Sequence, residues 1–315
     1  MKSQNSEKRL AGQVAVITGG GSGIGKETAL VCAKQGASVV VNDLREEKAQ
    51  EVVDAIKAMG GSAAAVAGSI AKLEIAEALI DAAKRQFGRL DILFNCAGLG
   101  IRVAVDEMTE KQWDLVVDVN LKGSFATIHY ATPIFRAQKS GVIINVASEA
   151  GHGANQMTNY SAAKEGVVGL TRAVAFELAP YNVRCNAIRP RAFDTGLAAK
   201  AHYEKYLAFE ERFGRVPWGQ HPISHTIFPR AAEVAAVVAW LCTDDAQDVT
   251  GRNFLVGGGE IALMPEPVAM RSCFNPDGWT IESLPRIRKY LFGNLHNPAA
   301  GFPAIEHAEM VKGQD

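Results

Sequence analysis

A phenol and an ammonium four positions apart, in Tyr160-Ser161-Ala162-Ala163-Lys164, are the side chains of this chain best suited to proton transfer. On a helix, positions i and i+4 lie on one face, so the two polar ends can reach one point. An isolated tyrosine titrates near pH ~10 and is a poor base at neutrality. A neighbouring ammonium favours the phenolate and brings the group toward the working range. By itself the pair is ordinary, because the same spacing decorates the outer face of many amphipathic helices. A motif far upstream changes its meaning.

That motif is the β-branched run Val14, Ala15, Val16, Ile17 followed by Thr18-Gly19-Gly20-Gly21-Ser22-Gly23-Ile24-Gly25. The run reads as a buried parallel strand, and the glycines as a tight turn into a helix with Ala29, Leu30 and Ala33 on one face. Backbone N–H groups at such a helix start suit a pyrophosphate. The glycine spacing is G-x-x-x-G-x-G rather than the G-x-G-x-x-G of other dinucleotide folds. A second buried run, 37–42, leads into Asp43, whose carboxylate is placed to accept ribose hydroxyls and to repel a 2′-phosphate. Leu44 follows it and Ser22 precedes Gly23, so neither adjacent position is basic, and NAD is expected over NADP; Arg45 keeps the question open.

Together these motifs resemble the short-chain dehydrogenase/reductase family over residues 12–259, with further landmarks in order. Asn95-Cys96-Ala97-Gly98 is similar to the family's N-x-A-G segment beside the adenine. Asn120, Ser148, Tyr160 and Lys164 match its catalytic tetrad, and Pro190 to Thr195, including Phe193, match the loop that holds the nicotinamide carboxamide. The resemblance implies a nucleotide site of Gly19, Ser22, Gly23, Ile24, Gly25, Asp43, Leu44, Ser69, Ile70, Asn95, Ala97, Gly98, Tyr160, Lys164, Pro190, Phe193 and Thr195. It also implies a mechanism. Tyr160 takes the proton of a secondary alcohol as hydride leaves for the nicotinamide. Lys164 lowers the tyrosine pKa and binds the nicotinamide ribose, Asn120 holds a relay water, and Ser148 hydrogen-bonds the substrate oxygen. Three departures stand out: Ser69 where the family has aspartate, Pro190-Arg191 where it has Pro-Gly, and Val256-Gly257-Gly258-Gly259 where it has Val-Asp-Gly-Gly. None removes a catalytic group.

Composition agrees. At 315 residues and 48% hydrophobic, the chain can bury one large α/β core with a tail. A net charge of −1 leaves no basic footprint for nucleic acid. Cys32, Cys96, Cys185, Cys242 and Cys273 are scattered, with no C-x-x-C spacing, so reduced thiols in a cytoplasmic protein are expected and no metal site. The polar start has no apolar signal region, and the apolar helix at 231–241 is interrupted by Glu233 and too short for a bilayer.

The pattern predicts strands near 14–17, 38–42, 63–66, 90–94, 142–146, 184–188 and 253–256. Helices fall near 24–35, 46–58, 72–87, 110–137, 158–179, 232–242 and 285–292. This alternation implies a Rossmann-type, doubly wound α/β fold with a parallel seven-stranded sheet covered on both faces. By resemblance the strand order is 3-2-1-4-5-6-7, and a homotetramer forms through the helices at 110–137 and 158–179. Residues 1–10 read as a flexible start, 11–262 as the dehydrogenase domain, and 263–315 as an extension. The insertion at 193–230 is rich in rings, among them Phe193, Tyr203, Tyr206, Phe209, Phe213, Trp218 and Phe228. It reads either as a substrate lid or as a small core of its own.

Ser148-Glu149-Ala150-Gly151, Pro190-Arg191-Ala192 and Asp277-Gly278-Trp279 narrow the resemblance to a bacterial branch with 17β-hydroxysteroid and (3R)-hydroxyacyl-CoA dehydrogenase activities. The ring-rich insertion favours a bulky apolar alcohol or ketone, with a hydroxysteroid first. A hydroxyacyl-CoA would instead need cations for its phosphates; Arg102, Arg191, Arg212, Arg215 and Arg230 are the candidates if they converge, the alternative being arginines scattered over the surface. A third possibility is an NAD-binding protein without catalysis. Retention of all four tetrad residues argues against it, and His152 stands near the site without an assigned role.

Overall fold

The computed structural model describes residues 8–195, single positions and pairs between 200 and 211, and residues 227–267, 269 and 271–292. It divides into two compact units, Met1–Met264 and Pro265–Asp315.

The first unit alternates strand and helix: β1 (Val14–Thr18), α1 (Gly23–Lys34), β2 (Ser38–Asp43), α2 (Glu46–Ala58), β3 (Ala63–Ala67), α3 (Leu73–Phe87), β4 (Ile92–Asn95) and α4 (Glu110–Val117). There follow α5 (Gly123–Gln138), β5 (Gly141–Val146), α6 (Thr158–Leu178), β6 (Val183–Pro190), α7 (Ala231–Leu241), β7 (Asn253–Gly257) and β8 (Glu260–Leu263). The sheet order is β3-β2-β1-β4-β5-β6-β7-β8, so the described residues form eight strands rather than the seven expected. The eighth pairs antiparallel with β7, because Gly258 and Gly259, at φ of 66° and 78°, reverse the chain in two residues. Its alternation of half-buried and exposed residues, with Ile261 and Leu263 outward, gave no buried run to read in the sequence.

Every other strand pair is parallel, which requires crossovers and covers both faces with helices. Two apolar layers result. Val16, Val40, Leu93 and Ile143 stand in register on the face covered by α3 and α5. Ile17, Val41, Phe94 and Ile144, one residue further on, face α1 and α7. The period of two in a strand makes this division, and a slip of one residue would exchange the layers.

Two boundaries differ from expectation, the first of them at the site. The helix predicted over 110–137 is broken by a π turn, Asp118–Lys122, in which Gly123 donates to the Asp118 carbonyl. One extra residue is thus inserted around Asn120, a local register change that side-chain periodicity does not reveal. At the other end, Leu10 is fully buried and its N–H donates to the Gln35 carbonyl at 2.9 Å, so the packed chain begins before residue 11. In the second unit, the helix expected at 285–292 is a 3₁₀ turn, Leu284–Ile287, followed by α8 (Arg288–Phe292), and Asn275 caps its own turn by accepting from Asp277 N–H.

Candidate active site

The carboxyl ends of β1, β4, β5 and β6 lie side by side, which is where open parallel sheets bind ligands. At the end of β1, Thr18 Oγ1 accepts N–H bonds from Cys96 and Ala97, both at 3.0 Å, so the turn after β1 and the segment after β4 are tied together. Gly19 has φ of 62°, and a Cβ there would stand 2.8 Å from Ala97 Cα. A Cβ on Gly25 would stand 2.2 Å from the Gly19 carbonyl oxygen, so the first turn of α1 folds directly onto the loop. Ser22, the N-cap of α1, makes no side-chain capping bond and no acidic residue stands in the first turn. The helix start therefore keeps N–H groups for an outside anion, and this cradle fits a dinucleotide pyrophosphate. Half-buried Ile24 packs its apolar side chain against the core beneath.

Asp43 closes β2. Its carboxylate accepts from Gly21 N–H and Arg45 N–H, each at 3.1 Å, and is buried against the glycine loop, whereas Leu44 is exposed. Gly68 donates to the Asp43 carbonyl, which brings half-buried Ser69 and buried Ile70 beside it. Asn95 faces inward rather than toward the loop. Its Nδ2 donates to Asn145 Oδ1 at 2.9 Å and its Oδ1 accepts from Thr127 at 2.6 Å. Gly98 fronts the proton-transfer groups: a Cβ there would lie 2.7 Å from Asn120 Oδ1 and 3.3 Å from Lys164 Nζ.

The four tetrad positions converge on this edge. Asn120 sits in the π turn and donates from Nδ2 to the Leu99 and Val116 carbonyls, both at 2.8 Å. Its Oδ1 is buried and has no hydrogen-bond partner among the described residues. An amide oxygen in that state, so near an ammonium, fits a small polar guest such as water. Lys164 is buried on α6, donates to the Val146 carbonyl at 2.7 Å, and lies 5.6 Å from the centre of the Tyr160 ring. Burial lowers its pKa to about 8. Ser148, just beyond β5, accepts from Ala150 N–H, and its hydroxyl stands close enough to the Tyr160 phenol to favour the phenolate.

Burial pushes Tyr160 up to about 12, opposite in direction to the lowering expected from Lys164, and the Ser148 hydroxyl offsets this only in part. The reason is that both groups are desolvated together. His152 ends a 3₁₀ turn, Glu149–His152, and is half-buried. Gly100 and Met157 stand on the other side of the tyrosine, where a Cβ on Gly100 would lie 3.0 Å from Met157 Cε and 3.6 Å from the Tyr160 ring.

The segment after β6 runs over the cradle. Pro190 ends the strand, Phe193 N–H donates to the Pro229 carbonyl, and Thr195 lies against Gly23, where an added Cβ would meet Thr195 Cβ at 3.2 Å. Phe193, Tyr203 and Phe228 pack on one another with ring centres 5.3 and 5.2 Å apart, a small core of the insertion's own. Tyr206, Phe209, Phe213 and Trp218 lie outside the described residues, as do Arg212 and Arg215.

The sequence-based candidacy of Arg191 for CoA phosphates needs correction. Arg191 is buried and spans Glu149 with two bonds, Nε to Oε2 at 2.7 Å and Nη2 to Oε1 at 2.8 Å, so its charge is already engaged. Arg102 donates to the Asn155 carbonyl at the surface. Glu149 and buried Arg189 escaped the sequence reading because a charged residue at a strand end normally signals solvent. Among the described residues no helix is long and apolar enough to cross a membrane, and no group of three or more His, Cys, Asp or Glu could hold a metal ion.

Comparison with known proteins adds the lineage. The family model for short chain dehydrogenases matches residues 13–205. A cyclohexanol dehydrogenase from Acinetobacter sp. (strain SE19) is 43% identical over 248 residues, covering 78% of this chain and 94% of that protein. A 3-oxoacyl-[acyl-carrier-protein] reductase from Thermotoga maritima is 35% identical over 252 residues, covering 80% of this chain and 98% of the relative. The crystal structure of a short chain dehydrogenase from Mycobacterium avium matches with a TM-score of 0.75 and 33% identity, covering 92% of this chain and 98% of that one. With its glycine cradle, its sheet order and its convergent Asn120, Ser148, Tyr160 and Lys164, the chain belongs to the short-chain dehydrogenase/reductase family, enzymes that interconvert alcohols and ketones with a nicotinamide dinucleotide.

Proposed function

We propose that this enzyme is an NAD-dependent dehydrogenase of a secondary alcohol carried on a bulky apolar ring system, with 17β-hydroxysteroids as the first substrate class to test. The observation that carries the reading is the meeting of Ser148, Tyr160 and Lys164 at one point beside the uncharged wall of Gly100 and Met157. Its likeness to a relative named for a ring alcohol supports the same class. Engagement of Arg191 by Glu149 removes one cation that a CoA thioester would have used. The second reading, a (3R)-hydroxyacyl-CoA dehydrogenase, draws on the likeness to a 3-oxoacyl reductase.

Bound nicotinamide supplies the hydride acceptor or donor. The protein does the rest. Ser148 donates to the substrate oxygen and stabilises the charge that builds there. Tyr160 takes the hydroxyl proton during oxidation and returns it during reduction. Lys164 offers its ammonium beneath the phenol, and Asn120 Oδ1 holds the water through which the proton leaves. Asp43 receives the adenosine ribose hydroxyls and repels a 2′-phosphate. We also propose that the chain assembles as a homotetramer. Phe125, Phe176, Trp113 and Leu115 on α4, α5 and α6 are exposed apolar side chains that a second copy would cover.

Four outcomes are expected. In a paired assay with NAD, 17β-hydroxysteroids and other ring alcohols turn over and 3-hydroxyacyl-CoAs at equal concentration do not; turnover of the thioesters alone would reverse the assignment. Asp43→Ala reduces the NAD-over-NADP ratio of kcat/KM by about 10-fold, chiefly by weakening NAD, in line with ~1.4 kcal/mol per decade. Equal kcat/KM for the two dinucleotides in the wild type would contradict the role of Asp43. Light scattering at micromolar concentration gives four times the chain mass, and a monomer would refute the assembly.

The fourth outcome concerns pH. Burial lowers the Lys164 pKa to about 8 in the folded chain, against 10.5 for a lysine in water, so the folded chain releases this proton more readily. Its charged form therefore penalises folding below about pH 8, and the penalty fades as pH rises between those values. Lys164→Met should stabilise the nucleotide-free protein by roughly 1–3 kcal/mol at neutral pH, after allowance for the lost Val146 bond. The urea-midpoint difference between variant and wild type should shrink as pH rises from about 8 toward 10.5, the interval in which the folded state has lost the ammonium and the unfolded state still keeps it. A pH-independent difference would show that Lys164 is charged to the same extent in both states.

A further inference from the structure

The reaction scheme makes no use of two arginines buried at the end of β6. Arg189 and Arg191 are 1% and 4% exposed. Arg191 N–H donates to the Val256 carbonyl at 2.7 Å, so the strand pairing continues through it. Two positions apart on extended backbone, the side chains leave the strand on the same side. Arg189 donates from Nη1 to the carbonyl oxygen of Ser148 itself and from Nη2 to Glu165 Oε2 at 2.7 Å. Arg191 holds both oxygens of Glu149 in a fork and brings Nη1 within 3.3 Å of Glu260 Oε2 on β8. One strand therefore grips the main chain of Ser148 and the side chain of its neighbour. Glu165, in turn, directly follows Lys164 on α6.

Such a pair is an inefficient source of stability. Desolvating two charges offsets most of their attraction, and apolar residues of similar volume commonly do as well. What a planar bidentate fork supplies is a fixed direction and distance, which a lysine cannot reproduce. The segment it fixes packs on α6 but carries little regular hydrogen bonding of its own. Ser148 is extended at φ −163°, ψ 154° and leads into the single 3₁₀ turn Glu149–His152, whose internal bonding is limited to that turn and its cap. An error of about 1 Å in the placement of a reacting group can cost ~10²-fold in rate.

We propose that Arg189 and Arg191 are positioning residues: clamped onto the Ser148 carbonyl and the Glu149 carboxylate, they set Ser148 Oγ against the Tyr160 phenol. The inference rests on the reading of Ser148 as the donor to the substrate oxygen. Arg191 is the better test, because its fork reaches a side chain rather than a main-chain carbonyl and can be removed as a pair.

Two variants are compared with the full-length wild type, Arg191→Lys and the double variant Glu149→Gln/Arg191→Met. Thermal unfolding, steady-state kinetics with NAD and the best alcohol, and hydrogen–deuterium exchange without ligand are measured on each. Arg191→Lys should lower kcat about 10-fold or more, leave KM for NAD within about 3-fold, and speed exchange only over residues 147–153, since a local shift acts on the transition state more than on uniform binding. The double variant should regain the wild-type Tm yet keep the low kcat and fast local exchange. Recovery of kcat together with Tm would overturn the proposal, and so would an exchange increase spread over the whole domain in Arg191→Lys. If the double variant does not fold, Arg191→Lys decides the matter by the same local exchange and the same split between kcat and KM. If the wild type oxidises no secondary alcohol, the reading of Ser148 fails, and exchange at 147–153 still decides whether the clamp holds that segment.

Discussion

A chain of buried amides and hydroxyls across the carboxyl ends of β4 and β5 is the constraint on which the rest of this enzyme depends. Asn95 and Asn145 stand opposite each other in the parallel ladder, both almost wholly buried. Asn145 Oδ1 accepts from Asn95 Nδ2, and Asn95 Oδ1 accepts from Thr127 on α5. Asn145 Nδ2 donates to Thr171 on α6 at 2.9 Å. Each group left without its partner in such surroundings costs about 1–3 kcal/mol, so a slipped register or a rotated helix is penalised several times over. The apolar layers also favour one register, but apolar contacts are non-directional. The amide chain adds direction, and so fixes the rotation of the two helices that flank the site. Tyr160 and Lys164 lie on one of them, and Asn120 lies in the π turn that leads into the other.

Seen this way, the cost carried by the site is local and specific. Lys164 is buried with a main-chain carbonyl as its hydrogen-bond partner, Tyr160 is desolvated beside it, and Asn120 keeps an oxygen unpartnered among the described residues. Groups with such perturbed titration and unmet bonding cluster where catalysis needs them, and the surrounding packing must hold them there. Here that packing includes the small residues at Gly98 and Gly100, where a Cβ would press on Asn120 or Met157. The dinucleotide cradle follows the same logic with backbone groups: its glycines let Gly19 approach Ala97 and let α1 begin directly against the loop.

How much of this was legible in the sequence follows from which signals are local. The strands at the sheet centre were legible because runs such as 14–17 and 38–42 are buried on both faces and need no partner to be recognised. The glycine loop and Asp43 were legible because turn geometry and strand ends are set by adjacent residues. The tetrad was legible as an ordered set, with Tyr160 and Lys164 brought onto one face by helix periodicity alone. The π turn around Asn120 was not, since an inserted helical residue leaves the apolar pattern almost unchanged. Nor was β8, whose strand character comes from pairing with β7 and not from its own composition. Arg191 shows the limit most clearly. Its type suggested a phosphate at the pocket mouth, whereas its partners, Glu149 and Glu260, are far away in sequence and turn it into a buried tie. The direction of the Tyr160 shift failed for the same reason, because spacing reports proximity to Lys164 and is blind to how deeply both groups are desolvated.

The central claim is that the Tyr160 phenol, held by Ser148 and set over Lys164, moves the proton. The most direct measurement compares turnover and NAD affinity of Tyr160→Phe with those of the wild type on the same secondary alcohol. Loss of kcat by roughly 10²-fold or more, with the Kd for NAD nearly unchanged, is the result expected of a general acid–base whose ring merely fills space. Retention of more than about a tenth of the wild-type turnover would contradict the account, because a residue in that role ordinarily contributes 10²–10⁴-fold.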